Sequence, residues 1–416
     1  MVTQRENNPA VVTPLDEHMG LDIARSLGQQ GIQVYGIDPD SEAAGRSSKY
    51  CQLVLSPDPI GAEHDYVEFL LQWGKKQASK TVLFPVSDET VQICSRHRHL
   101  LHPYYEFVMP EHKVISTVAS KQGLAETATL FKVPAPQSFF LKDIAEVQQV
   151  VPFLPYPVIL KPSESKYWHT PEIAAYLRKQ ALSGRVKVVE CHSPAELLEY
   201  YQKLSAYDNR MIIQEMIPGP DENLVYISFY LDRQSRPLAV FAGRKIRVLP
   251  IHCGSASYVQ SFYDPALEHV AMQLLSNIKY QGLGGIEFKL DERDGQYKLI
   301  EFNPRFGMWD GLGVRCGVDT PFIAYQDALG RSVQPQRSYR KGIIWVDWQR
   351  DVRAFWMYRQ QGYLTLNQWL KSLRGEKMWA IYSRDDWRPG VRFSLNLVRE
   401  FWVRLIKRSR PQSLSG

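Results

Sequence analysis

Apolar residues recur along this chain with two different periods. Up to about residue 115, short apolar runs alternate with helix-period stretches. Ala10–Thr13, Ile32–Ile37, Cys51–Leu55 and Thr81–Val86 are short enough for buried strands. Gly20–Gln30, Glu63–Lys76 and Glu89–Leu101 space their apolar positions three and four apart, as amphipathic helices do, and Gly31 ends the first of them. Such alternation predicts a parallel sheet covered by helices, with ligands at the carboxyl ends of its strands. After the fourth strand comes Ser87-Asp88-Glu89, where Asp88 reads either as a helix N-cap or as a substrate contact. No GxGxxG is present, so a dinucleotide site is not expected.

The period then changes. Lys113–Val133 is helical until Pro134-Ala135-Pro136 stops it, which places a boundary near residue 115. Strands follow at Pro157–Lys161, Arg210–Glu215, Leu224–Leu231, Leu238–Arg244, Gly285–Leu290 and Tyr297–Asn303. Helices fall at Pro194–Leu204 and Pro265–Ile278. The expected fold class is α/β plus α+β. Its units are an α/β domain over 1–115, a catalytic domain over 116–330 and a basic extension over 331–416, where seven of the ten tryptophans lie.

Composition narrows the function. Hydrophobic residues make up 44% and charged residues 23% of 416, as in soluble globular proteins. A net charge of +6 does not single out a nucleic-acid partner. Cys51, Cys94, Cys191, Cys253 and Cys316 are dispersed, which argues against zinc and disulfide frameworks and suits a reducing, cytoplasmic setting. Cys253 is read as a wall position rather than a nucleophile. Met1–Pro9 is polar, unlike a signal peptide, and no run of about 18 apolar residues spans a bilayer. The tail Phe393–Ile406 mixes apolar residues with Arg399 and Arg404, then Lys407, Arg408 and Arg410. It reads as a helix packed on the body or as a peripheral contact with an anionic membrane.

The chemistry concentrates in Gly285–Leu290 and Tyr297–Arg305. If the intervening turn is a three-residue loop, Arg293-Asp294-Gly295, then Glu287 lies opposite Glu301. Side chains so placed are about 5 Å apart, and two carboxylates there repel unless a cation joins them. Asn303 projects from the same face as Glu301. An oxygen-only set of Glu287, Glu301 and Asn303 suits Mg2+, or Mn2+, which keeps part of its shell for phosphates. The alternative is an acidic exposed hairpin face. Arg305 follows, with a fork suited to phosphoryl or carboxylate oxygens, or to a local ion pair with Glu301. Lys161 ends a buried apolar strand, a costly place for an ammonium without an anion, and Lys121 precedes it by 40 residues. Gln214-Glu215-Met216-Ile217, a Pro/Gly turn and then Glu222 would suit an adenine edge and ribose hydroxyls, although taken alone each acid reads as a solvated turn residue.

Lys121, Lys161-Pro162, Gln214-Glu215 to Glu222, and Glu287 to Glu301-x-Asn303-Pro304-Arg305, in this order, resemble the ATP-grasp superfamily, in particular its carboxylate–amine ligase branch. The resemblance covers about residues 10–330. It implies a Rossmann-like domain followed by two lobes that clamp ATP. It implies Lys121 and Lys161 as phosphate contacts, Gln214, Glu215, Met216 and Ile217 at the adenine, Glu222 at the ribose, and Glu287, Glu301 and Asn303 as metal ligands. Lys245 would be a further phosphate contact, and Arg247 and Arg305 would bind the substrate carboxylate. The implied reaction joins a small carboxylate to an amine through an acyl phosphate. Family members are often dimers. Alternatives on the same fold are a kinase or other phosphoryl transferase, and a nucleotide-binding scaffold without turnover. One departure is plain: the segment after Lys161, Ser163 to Thr170, has no glycine where the family carries a glycine-rich lid.

Overall fold

The computed structural model describes residues 8–15, 18–163, 165–168, 170–179, 188–252 and 254–409. Cys253 and part of the glycine-poor segment, Glu164 and His169, lie outside them.

Strands β1 (Ala10–Thr13), β2 (Val34–Asp38), β3 (Gln52–Leu55), β4 (Thr81–Pro85) and β5 (Tyr105–Phe107) form a parallel sheet in the order β3-β2-β1-β4-β5. Strands β1 and β4 are buried along their whole length, which is why they read as unbroken apolar runs. The strand order reverses between them, so the carboxyl ends of β1 and β4 border the crevice where such sheets bind ligands.

The stretch expected as one helix over Lys113–Val133 is two, His112–Ala119 and Lys121–Leu130. Ser120 between them is extended, and its hydroxyl accepts from Gly123 N, capping the second helix. Lys121 thereby begins a helix.

A four-stranded antiparallel sheet follows, ordered β6-β9-β7-β8: β6 (Ser138–Phe140), β7 (Val158–Pro162), β8 (Val189–Cys191) and β9 (Met211–Glu215). It has its own core, including Leu160, Tyr201 and Ile213. Trp168 is buried in that core at 2% exposure, and Arg210 lies over the Tyr167 ring at 3.5 Å. The position of the expected lid thus holds a short 3-10 turn, Ser165–Trp168, anchored by an indole.

The third sheet runs β14-β13-β10-β11-β12-β15-β16. Its strands are β10 (Leu224–Leu231), β11 (Pro237–Leu249), β12 (Ser255–Ser261), β13 (Gly282–Leu290), β14 (Tyr297–Asn303), β15 (Ile344–Val346) and β16 (Lys377–Trp379). All neighbours are antiparallel except β15 and β16. Its apolar face shares one core with the first sheet, with Val12 and Leu21 in the same cluster as Phe241, Trp309 and Trp345.

Residues beyond 330 therefore complete this sheet. Of their tryptophans, Trp345 is fully buried, whereas Trp348, Trp356 and Trp387 are 44%, 56% and 59% exposed. The segment is also tied to the first sheet's helix. Arg25 donates to Asp386 Oδ2 at 3.0 Å and to Ile381 O at 2.8 Å, and Asp386 accepts from Ser48 Oγ at 2.7 Å. The last helix, Arg388–Ser409, docks its first half through Phe393 and an Arg392–Glu42 pair. No helix among the described residues is long and apolar enough to cross a membrane.

Candidate active site

Strand pairing builds the site. Glu287 on β13 is directly opposite Glu301 on β14, and Gly285 is opposite Asn303. The pairing matches the expectation, but the turn does not. The pair at the base of the loop is Asp291 with Gln296, joined by Asp291 N to Gln296 O at 2.9 Å, so the loop has one more residue than expected. Gly295 supplies its left-handed position, with φ +69°. A β-bulge between Glu287 and Phe288 then shifts the register by one and brings the two acids opposite each other.

Glu287 is nearly buried at 9% exposure, while Glu301 is exposed. Lys245 on β11 donates to Glu287 Oε2, so an ammonium already sits on one of the two acids. That contact tests the donor set for a cation: the face attracts positive charge at the point where two like charges would otherwise repel. No group of three His, Cys, Asp or Glu side chains among the described residues is placed to hold a metal. Two glutamates and Asn303 instead offer a partial oxygen shell, the arrangement Mg2+ takes when phosphates complete it.

A second cluster forms at the end of β7. Lys161, 8% exposed, donates to Gln214 Oε1 at 2.7 Å, and Gln214 Nε2 donates to Ser138 Oγ at 2.7 Å. Lys121 donates to Pro162 O at 2.8 Å and Ser163 O at 2.9 Å. The two lysines, 40 residues apart in sequence, thus meet at one strand end.

The third group joins the two sheets. Glu215 accepts from Arg293, which the β13–β14 loop supplies, and from Gln137 N at 3.1 Å. The Met216 amide donates to Pro157 O at 3.3 Å, and Ile217 is buried. Glu222 is exposed in the 3-10 turn Asp221–Asn223. Its neighbour Asp221 is buried and accepts from His252 N at 3.0 Å and from Tyr358 OH. Burial works against the Asp221 charge, but the His252 and Tyr358 hydrogen bonds outweigh it and hold its pKa below the usual range. The hydrogen bond to Asp221 in turn raises His252.

Arg305 projects toward the first sheet. Its Nε donates to Asp88 Oδ1 at 2.6 Å and its Nη2 to Asp88 Oδ2 at 3.3 Å. Burial disfavours its charge, yet Asp88 more than offsets this and raises its pKa. Asp88 is not the N-cap considered above. Ser87 caps the helix Asp88–Arg96 in a capping box with Thr90, which leaves the Asp88 carboxylate for Arg305.

Arg247 departs from its expected role as a carboxylate binder. Its Nε and Nη2 grip Asp351 Oδ1 and Oδ2 at 2.7 and 2.9 Å, with both side chains buried. Register shifts on either side of it in the β11–β12 ladder turn it toward the helix Trp348–Gln360. Its fork is filled from within, so it holds the C-terminal segment to the sheet.

Beside Arg305 lie two residues that the sequence did not mark, Tyr226 and Asp310. Burial pushes the Asp310 carboxyl up to about 7, opposed in part by the Gly307 amide and Arg305.

Comparison with known proteins finds similarity over most of this chain. The family described as "Carbamoyl-phosphate synthase L chain, ATP binding domain" matches residues 255–332, which include β13 and β14. The chain is 25% identical over 378 residues to D-aspartate ligase of Enterococcus faecium, covering 86% of this chain and 84% of that one. The biotin carboxylase domain of Hydrogenobacter thermophilus 2-oxoglutarate carboxylase, in complex with MgADP, ADP and bicarbonate, superposes with a TM-score of 0.61 at 17% identity, over 81% of this chain and 73% of that chain. L-amino acid ligase from Bacillus licheniformis superposes with a TM-score of 0.57 at 14% identity, over 78% and 75%. The family match, the similarity to D-aspartate ligase and the shared fold together liken this chain to the ATP-grasp proteins.

Proposed function

We propose that this protein is an ATP-dependent carboxylate–amine ligase. The observation that carries the reading is the face on which Lys245, Glu287, Glu301 and Asn303 converge. It is supported by the names of the similar proteins, two of which are amino-acid ligases.

A substrate carboxylate oxygen would attack the γ-phosphorus of ATP, with ADP leaving. An amine nitrogen would then attack the acyl carbon, phosphate would leave, and the nitrogen would lose a proton to give the amide. Glu287, Glu301 and Asn303 would hold Mg2+, which neutralises charge on the phosphates when bound. Lys121 and Lys161 would contact phosphate oxygens from the end of β7. Segment 215–217 would border the adenine, and Glu222 would accept from the ribose. Lys245 would turn from Glu287 to the transferring phosphoryl group. Arg305 would hold the carboxylate that Asp88 now mimics. These groups position reactants and stabilise charge, so the chain needs no nucleophile of its own.

ADP release measured against a panel of amino acids and small carboxylates tests the reading. Turnover that depends on both a carboxylate and an amine is expected; none with any pair would refute it. The buried Trp168 in the lid position favours one rival, a scaffold that binds ATP without turnover. In that case nucleotide binding would persist while ADP release is absent. We also propose residues 115 and 330 as the limits of the three units, which limited proteolysis would test by cleaving near them.

A further inference from the structure

Among the described residues, the Tyr226 hydroxyl and one Asp310 carboxylate oxygen meet no hydrogen-bond partner, and both lie beside Gly307. Tyr226 pairs with Glu287 across β10 and β13, so its ring stands on the face that carries the acids. The ring lies over Gly285, where any Cβ would collide with its hydroxyl. A Cβ on Gly307 would lie 2.8 Å from the Tyr226 hydroxyl and 3.0 Å from Asp310 Oδ1. The two glycines thus leave room for both polar atoms beside the Asn303 end of β14.

Asp310 Oδ2 accepts from Gly307 N at 2.6 Å. Asp310 Oδ1 and the Tyr226 hydroxyl have no hydrogen-bond partner among the described residues, although Asp310 is 3% and Tyr226 5% exposed. Leaving two such atoms buried and unpaired is costly, and native structures commonly complete such atoms with a ligand, an ion or an ordered water. Tyr226 faces Asp310, Glu287, Glu301 and Arg305, and Asp310 faces Asp22 and Arg305. Acids outnumber the one guanidinium, which Asp88 already engages. This field repels an anion. A neutral phenol and one carboxylate oxygen make a poor shell for a metal, but they suit a group with several N–H donors and a positive charge.

We propose that Asp310 Oδ1 and the Tyr226 hydroxyl form the seat for the ammonium group of the amine substrate. The proposal rests on the ligase reading and names where the second substrate binds. Both seat atoms are covered here, so the amine reaches them only when neighbouring side chains shift. An ionised Asp310 is favoured once a cation is present, which offsets the effect of burial on that carboxyl.

Ligand-detected NMR of the full chain with methylammonium as probe tests the seat directly. The wild type binds it, Asp310→Asn weakens binding roughly ten- to a hundredfold and Tyr226→Phe weakens it less. Asp310→Asn keeps the acceptor for Gly307 N, and Tyr226→Phe keeps the edge contact with Trp309, at 5.0 Å between rings. Absence of binding to the wild type, equal affinity in both variants, or equally tight binding of tetramethylammonium, which has no N–H, would each overturn the proposal. Hydroxylamine trapping separates this from the parent reading. Both variants should raise the KM for ethylamine. A wild type that forms no hydroxamate would count against the ligase reading, and the methylammonium result would still decide the seat.

Discussion

Glu287 and Glu301 face each other across β13 and β14, a placement that strand pairs ordinarily avoid. Lys245 offsets part of the repulsion from one side. Removing one charge should therefore stabilise the metal-free protein. Glu301→Gln is expected to raise unfolding stability by about 0.2–1 kcal/mol without metal. It should also abolish the rise in Tm that MgCl2 with ATP gives the wild type. Thermal melts with and without Mg-ATP check both; an equal Mg-ATP shift in the variant would remove Glu301 from the metal site.

Arg247 and Asp351 make a buried, two-pronged ion pair, so breaking it should damage stability rather than chemistry. Arg247→Ala should cost about 3–5 kcal/mol, because Asp351 is left buried and unpaired. Replacing both, as Arg247→Met with Asp351→Leu, should cost much less. Urea unfolding of the wild type and both variants measures this. A stable Arg247→Ala protein that has lost turnover would restore the substrate role.

Arg293 clasps Glu215 from the neighbouring sheet, yet half of its side chain is exposed. Arg293→Ala should change stability by under about 1 kcal/mol and raise the KM for ATP several-fold while leaving that for the carboxylate unchanged. Lys298→Ala, on the same hairpin, serves as the control and should leave the ATP KM alone. Steady-state kinetics with each substrate varied in turn would show whether the clasp shapes the nucleotide side.

Asp310 gives stability a definite pH dependence. Its folded pKa, about 7, lies above the ordinary carboxyl value of 3.8, so folding favours the protonated form. Its contribution is fully present below about 3.8 and is lost as pH rises through 7. Asp310→Asn mimics the neutral carboxyl and escapes that loss. It should match the wild type near pH 4, become the more stable of the two as pH rises to 7, and keep a constant lead above. Denaturant midpoints at pH 5 and pH 8 check this; an equal difference at both would contradict it.

Much of this was legible from local pattern. The buried strands β1 and β4 announced themselves as apolar runs, and the order of Lys121, Lys161, Glu287 and Glu301 pointed to one family. The acid pairing was reached through a turn one residue too short, and the bulge at Glu287 and Phe288 cancelled that error. What was not legible depends on partners distant in sequence. Nothing near Arg247 reveals Asp351, 104 residues on, or near Arg305 reveals Asp88, 217 residues back. Strand β12 was missed because Ser255-Ala256-Ser257 lacks a strong apolar alternation, although Ala256 and Ser257 are buried. The concentration of tryptophans beyond residue 340 does not show which are buried, because burial depends on which face of a helix each ring occupies. Among the described tryptophans beyond residue 340, only Trp345 is fully enclosed. Tyr226 and Asp310 carry no motif at all, and they stand out because their unpaired atoms converge beside the acids.

Hydroxylamine trapping in the presence of ATP, Mg2+ and a carboxylate panel bears most directly on the central claim. The wild type should yield a hydroxamate with at least one carboxylate, in step with ADP release and only when Mg2+ is present, and Glu301→Ala should yield none. A phosphate ester as the product, or undiminished hydroxamate from Glu301→Ala, would contradict the account.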